Sequence, residues 1–280
     1  LVYLYAVVLA VIEGVTEFLP VSSTGHLILA EQFLSLEAAG GHEFTADFEV
    51  IIQLPAILAV VVYFWRSLWP FGKEREEQRR VWALWLRVMV AFIPAAVLGF
   101  LLDDFIEAAL FNPYTVAIAL LVGGALLIAI EKAGLKHTFE DVHDVTYAKA
   151  LAIGFFQCLA MIPGTSRSAA TIIGAMVLGA KRPAAAEFSF FLAIPTMFGA
   201  TVLKMAKAGL SYTGEQWAIL AVGSVVSFLT AWAVIAMFMR YIQTRDFVPF
   251  GVYRIILGVV VLVYFWLVAG DVPPVQSPEP

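Results

Sequence analysis

The sequence predicts an all-α polytopic membrane protein with an inverted-topology repeat. Each half is a re-entrant helical hairpin plus three transmembrane helices, giving six full spans and about ten helices. Three observations carry this prediction. The 280 residues are 61% hydrophobic and only 14% charged, where a soluble domain carries about 25% charged residues. The apolar runs are long and continuous, unlike the ~10-residue alternating segments of a transmembrane β-barrel. A short polar motif also recurs: Pro20-Val-Ser-Ser-Thr-Gly aligns with Pro163-Gly-Thr-Ser-Arg-Ser, each residue 143 positions further on.

Taken in order, residues 1–12 are apolar but too few to cross a bilayer, which needs about 20. They run into the polar stretch 13–26, EGVTEFLPVSSTGH, and a second short segment follows at 27–36. Two short helices around a Pro/Gly/Ser turn read as a re-entrant hairpin, whose irregular backbone is tolerated only where protein or a polar cavity satisfies it. Full-length spans are expected at 48–65, 81–102 and 114–130, with Pro55 and Pro94 as sites for kinks in the first two. A hydrophilic loop, 131–147, separates the halves. The pattern then restarts with a short apolar segment at 148–162, the turn 163–168, a second short segment at 169–178, and spans at 184–205, 217–239 and 249–268. Three spans per half is an odd number, so the second half is expected to be inverted and the broken helices to meet near the midplane. The chain reads as a single integral membrane domain over 1–270, with repeats 1–131 and 148–270 and a disordered tail at 271–280. A cleaved signal peptide is not expected, because such a peptide needs a basic start and the first Lys or Arg is Arg66.

Charge placement gives the orientation. Arg66, Lys73, Arg75, Arg79, Arg80, Arg87, Lys132, Lys136, Lys149, Lys181, Arg182, Arg240 and Arg245 make 13 of the 17 basic residues, all on one side if the spans are right. The other side holds only Lys204 and Lys207 and is acid-rich at 37–47 and 103–107. The positive-inside rule makes the basic side cytoplasmic. Both termini are then outside, and the first hairpin enters from outside and the second from the cytoplasm. Cys158 is the single cysteine, so there is no intrachain disulfide or cysteine metal cluster.

Ionisable groups at membrane depth mark function. Glu13 and Glu17 are four apart and share a helix face. Ser22, Ser23, Thr24 and Gly25 at the hairpin tip can present hydroxyls and backbone N–H groups to an anion. His26 can exchange a proton near neutral pH. Arg167, on the opposing tip, is a planar fork suited to phosphate, and Ser166, Ser168 and Thr171 can add hydrogen bonds. Gln53, with Glu49 one turn before it, can line the site. Two carboxylates would repel a phosphate unless a divalent cation, Mg2+ or Ca2+, sits between them. The set fits phosphate-ester or anhydride chemistry. A plainer alternative is that Arg167 only neutralises Glu13 or Glu17. Glu187 and Arg254, at cytoplasmic span ends, read as pair partners or interfacial charges. The loop residues His137, Glu140, Asp141, His143 and Asp144 read as solvated.

EGVTEFLPVSSTGH (13–26) and PGTSRS with Thr171 (163–171) closely resemble the two signature regions of the bacterial undecaprenyl-diphosphate phosphatase family associated with bacitracin resistance. FEVIIQLPAILAVVVYFWR (48–66) and EFSFFLAIP (187–195) are similar to it as well. The resemblance implies hydrolysis of undecaprenyl diphosphate to undecaprenyl phosphate and inorganic phosphate, recycling the lipid carrier for cell-wall synthesis and conferring bacitracin resistance. It implies divalent-cation dependence, a multi-pass protein of the bacterial plasma (inner) membrane, and an active site opening to the outer side. Glu13, Glu17, Ser23, His26 and Arg167 fall on positions the family motif marks as functional. Expected roles are catalytic for Glu17, Ser23, His26 and Arg167, and metal-binding for Glu13 and Glu17. Substrate binding falls to Ser22, Thr24, Gly25, Gln53, Ser166, Ser168 and Thr171. The nucleophile is left open between Ser23, His26 and water. Ala169 and Pro55 stand where the family usually has Gly. The partners expected are undecaprenyl diphosphate and membrane lipid, with no nucleic acid and a homodimer left open. The rival reading is a polyprenyl-phosphate transporter or flippase using the same site.

Overall fold

The computed structural model describes residues 1–34, 36–208 and 211–268, without the side chains at 37, 42, 103, 104, 107, 207 and 208. The expected disordered tail at 271–280 lies outside the described residues, as do the side chains of Asp103, Asp104, Glu107 and Lys207 used in the charge argument. Among the described residues the chain is helical with no β-strand. The helices are α1 (Val2–Thr16), α2 (Ser23–Ala30), α3 (Glu37–Tyr63), α4 (Trp65–Leu68), α5 (Arg75–Leu110), α6 (Pro113–Lys132), α7 (Tyr147–Cys158), α8 (Arg167–Val177), α9 (Arg182–Ala208), α10 (Gly214–Tyr241) and α11 (Val248–Val268).

Six of these are long and apolar enough to cross a membrane: Glu43–Tyr63, Arg75–Leu102, Pro113–Lys132, Arg182–Ala206, Gly214–Tyr241 and Val248–Val268. All six expected spans are therefore present. Several start earlier than their apolar runs. α5 begins at Arg75 rather than 81, because the REEQRR turn is itself helical, with Glu76 spaced to pair with Arg80 and Lys73 with Glu77. α3 begins before its apolar run but breaks at Gly40 and Gly41, and the left-handed φ of +76° at Gly41 is one that glycine adopts readily. Pro55, Pro94 and Pro195 all sit inside helices. The four-residue α4 is an element the apolar pattern does not separate from α3.

Several helix contacts recur when the two halves are exchanged. α1 packs on α10 as α7 packs on α5; α3 packs on α10 as α9 packs on α5; α3 contacts α9, and α6 contacts α11. Close approach at these crossings needs small residues, as between membrane helices generally. A Cβ on Gly14 of α1 would lie 2.8 Å from Thr230 Cβ and 2.9 Å from the Ser227 carbonyl oxygen of α10. The 131–147 loop is less solvated than expected: Phe139 N–H donates to Gly179 O and Lys181 N–H to Phe139 O, docking it on the α8–α9 turn. The Arg182–Glu131 and Lys181–Glu140 ion pairs reinforce this.

Candidate active site

The two short helix pairs end in turns of one design. α1 stops at Thr16, Glu17 caps it, and the chain turns through Leu19–Val21 into α2. Ser22 is the N-cap of α2, at φ 75° and ψ 106°, and its Oγ accepts from Gly25 N–H at 3.3 Å. In the second half, Ser166 is the N-cap of α8, at φ 69° and ψ 117°, and its Oγ accepts from Ala169 N–H at 3.3 Å. They are the only non-glycine residues at positive φ among the described residues. Such backbone costs on the order of 1–3 kcal/mol each and concentrates at functional sites.

This geometry corrects the register read from the sequence. The motif alignment sets Pro20 opposite Pro163, whereas the backbone sets Ser22 opposite Ser166, one residue further on. The prolines are salient letters, but the strained caps define the turns. Ser23 and Arg167 thereby become equivalent, each the first residue of its helix. Glu13 likewise becomes equivalent to Gln157, and both are buried.

The equivalent residues converge on one carboxylate. Ser23 Oγ donates to Glu17 Oε2 at 2.8 Å, and Arg167 Nη2 donates to Glu17 Oε1 at 3.0 Å. Both members of the Arg167–Glu17 pair are about nine-tenths buried. Arg167 is aimed by three further contacts: Nη1 to the Ser189 carbonyl at 3.0 Å, Nη2 to Met197 Sδ at 3.4 Å, and its guanidinium over the Phe18 ring at 5.8 Å. Glu17, Ser22, Ser23, Thr24, Gln53, Ser166 and Arg167, with Ala160 and Gly164, line a cavity of about 150 Å³. The caps occupy one N–H of each short helix. The N–H groups of Ser23, Thr24, Arg167 and Ser168 keep no partner within their own helices, so two helix N-termini and a guanidinium bound this space, an arrangement that favours an anion.

Other expected site residues sit outside the cavity wall. Ser168 is fully buried and donates to the Leu19 carbonyl at 2.8 Å, tying one turn to the other. Thr171 is fully buried and bonds Arg167 O, Ser168 O and Ser189 Oγ. Gly25 packs its Cα against Leu120, whose Cδ1 a Cβ would approach to 2.9 Å. His26 faces the opposite way: Nδ1 is 2.7 Å from Ser22 O, Nε2 is 2.7 Å from Tyr253 Oη, and the two rings stack.

Glu13 lies one turn before Glu17, fully buried, and neither carboxylate oxygen has a hydrogen-bond partner. A bare buried carboxylate is costly, so these oxygens fit the ligand set of a cation. Among the described residues no three acidic, histidine or cysteine groups cluster. A cation here would take its remaining ligands from substrate oxygens and water, which suits Mg2+ more than the six to eight oxygens of a Ca2+ cage.

Arg254 corrects a second expectation. Rather than sitting at an interface, it is completely buried. Nη1 donates to Pro20 O at 3.4 Å, and Nη2 donates to Gly164 O at 3.1 Å and Ala119 O at 3.2 Å. Pro20 and Gly164 are equivalent in the corrected register, so one guanidinium clamps the same carbonyl of both turns. Gly164 has φ +91°, and a Cβ there would lie 2.7 Å from Val116 Cα, so the turn requires glycine. Arg254 is 234 residues from Pro20; the one signal in the sequence was a charge inside an apolar run.

The family model of bacitracin resistance protein BacA matches residues 6–260. A Clostridioides difficile protein named undecaprenyl-diphosphatase 1 is 52% identical over 264 residues, covering 94% of this chain and 96% of its own length. Fusobacterium nucleatum and Limosilactobacillus fermentum proteins named undecaprenyl-diphosphatase are 51% and 50% identical, covering 93% and 95% of this chain and 99% and 98% of their own.

Proposed function

The chain belongs to the bacitracin resistance protein BacA family, and from that premise and the geometry around Glu17 we infer that it hydrolyses undecaprenyl diphosphate to undecaprenyl phosphate and inorganic phosphate. The observation that carries the reading is the line Ser23–Glu17–Arg167: a hydroxyl, a carboxylate and a guanidinium joined across two turns that are far apart in sequence.

The terminal phosphate enters the cavity between the two helix N-termini. Glu17 accepts the Ser23 proton as Ser23 Oγ attacks the terminal phosphorus. The bond from that phosphorus to the bridging oxygen breaks, and undecaprenyl phosphate leaves with the bridging oxygen. Arg167 and the N–H groups of Ser23 and Thr24 stabilise charge on the phosphoryl oxygens. Glu17 passes that first proton to the departing undecaprenyl phosphate. Water then attacks the seryl phosphate as Glu17 takes its proton, the bond from phosphorus to Ser23 Oγ breaks, and Glu17 returns the proton to Ser23 as inorganic phosphate is released. A divalent cation, Mg2+ or Ca2+, held by Glu13 and Glu17 would, when bound, neutralise diphosphate charge and polarise the reacting P–O bond. Gln53, Ser22 and Ser166 orient the phosphates. His26, hydrogen-bonded to Ser22 O, holds the strained turn rather than the reacting atoms.

The halves form an inverted repeat, 1–131 and 148–270, in one integral membrane domain. The helix contacts that recur on exchange support this. Orientation follows from the basic residues: the loop between α4 and α5 is cytoplasmic, and the cavity opens to the outer side of the bacterial inner membrane.

Phosphate release from undecaprenyl diphosphate by the detergent-solubilised chain tests the reading, since it requires no second compartment. Release that a chelator abolishes and Mg2+ restores is the expected result. Lipid translocation in liposomes without release in detergent would assign the site to a flippase instead.

A further inference from the structure

A second cavity, of about 650 Å³, opens where α3 ends, lined among others by Trp65, Arg66, Trp69, Lys73, Arg80 and His143. The run of α3 from Gln53 to Tyr63 sets it roughly 15 Å along the helix axis from the Glu17 cavity. Two of its lining residues are indoles, and further rings adjoin them. Trp65 and Trp69 stack with ring centroids 4.4 Å apart, Trp69 meets Phe71 edge-on at 5.3 Å, and Phe71 meets Trp82 at 6.2 Å. All four rings are exposed, at the end of membrane-length helices. Amphipathic rings in that position settle at the headgroup level of a bilayer.

The charge in this cavity is unbalanced. Lys73 Nζ pairs with Glu77 Oε1 at 2.6 Å. Arg80 approaches only the exposed Glu76, at 3.8 Å, a weak surface pair. Arg66 has no ion pair among the described residues. The back wall holds His143, whose Nδ1 is buried without a hydrogen-bond partner. Its carbonyl accepts from Arg87 Nη1 at 2.8 Å, which fixes the residue in place. A buried ring nitrogen left unpaired is costly, and in one tautomer it is a donor. Cations at the mouth, a free donor at the back and a stacked indole pair at headgroup depth match one ligand chemistry, a phosphate oxyanion on a lipid.

We propose that this cavity is a binding site for the phosphate group of an anionic phospholipid, separate from the Glu17 site. Arg66 and Arg80 pair with its oxygens, His143 Nδ1 donates to one of them, and Trp65 and Trp69 pack against the glycerol and upper acyl carbons. The inference is independent of the phosphatase reading.

The test is native mass spectrometry of the full chain, delipidated in neutral detergent and titrated with phosphatidylglycerol or phosphatidylcholine. The parent should hold one phosphatidylglycerol about tenfold or more tighter than phosphatidylcholine. Equal retention of the two lipids overturns the proposal. Displacement of phosphatidylglycerol by equimolar inorganic phosphate also overturns it, assigning the cavity to the free anion. Arg66→Gln with Arg80→Gln should abolish the preference while phosphate release in detergent stays at the parent rate; a retained preference overturns the proposal. Basic residues near spans also guide insertion, so a second measurement uses parent-like charge. Brominated phosphatidylglycerol should quench indole fluorescence more than brominated phosphatidylcholine, and Trp65→Phe with Trp69→Phe should remove the difference. Equal quenching by both lipids in the parent overturns the proposal.

Discussion

In the proposed reaction the chemistry turns on Glu17, because its two oxygens are already committed in different directions. One accepts the Ser23 hydroxyl and the other the Arg167 guanidinium. The arginine orients the carboxylate, while the serine is held with its proton pointing at a base. Replacing Ser23 with Ala removes the attacking oxygen and leaves the Arg167–Glu17 pair intact. Phosphate release should fall about a thousandfold or more, with no radiolabelled phosphoenzyme detectable. A variant working at the parent rate would assign attack to water or another group. Arg254 acts at the same scale but through the backbone. Arg254→Leu strands the buried turn carbonyls of Pro20 and Gly164, each at a cost of about 1–3 kcal/mol. Its melting temperature in detergent should drop by several degrees and its phosphate release should weaken. Arg254→Lys should rescue only in part, since one ammonium cannot reproduce the fork. An unchanged melting temperature in Arg254→Leu would contradict the clamp.

At the scale of elements, the short helices matter more than the long ones. α2 and α8 each start from a serine at positive φ, and this turns their N-termini into the same cavity. α1 and α7 hold those turns at depth by lying close against α10 and α5. Gly14→Ala would press a methyl onto Thr230 and the Ser227 carbonyl. Overpacking of this kind costs about 1–3 kcal/mol; thermal unfolding should register the loss, and parent-like stability would show that the crossing relaxes freely. The six spans were legible in the sequence because each is a continuous apolar run. The residues 13–26 and 163–171 were legible because polar groups stand out in such surroundings. The register of the two turns was less so: the eye aligns Pro20 with Pro163, but a positive φ at serine leaves no mark in composition. Arg254 was hidden for another reason. Its partners are backbone carbonyls, which every residue has, so nothing in the letters indicates that a charge in α11 reaches both turns.

For the whole molecule, the consequence is that neither half alone contains the proposed site. The first half supplies Glu13, Glu17, Ser23 and Gln53; the second supplies Ser166 and Arg167, and the Ser168–Leu19 and Arg254 contacts hold the two turns together. The central claim is that Glu17 and Arg167, 150 residues apart, work as one unit on a lipid diphosphate. The most direct test is a double-mutant cycle on phosphate release from undecaprenyl diphosphate, comparing the parent, Glu17→Gln, Arg167→Ala and the double variant, with folding checked by melting temperature. Each single variant should lose about a thousandfold or more, and the double variant should lose little beyond either one, as groups acting together do. Single variants near the parent rate, or losses that multiply in the double variant, would contradict a shared site.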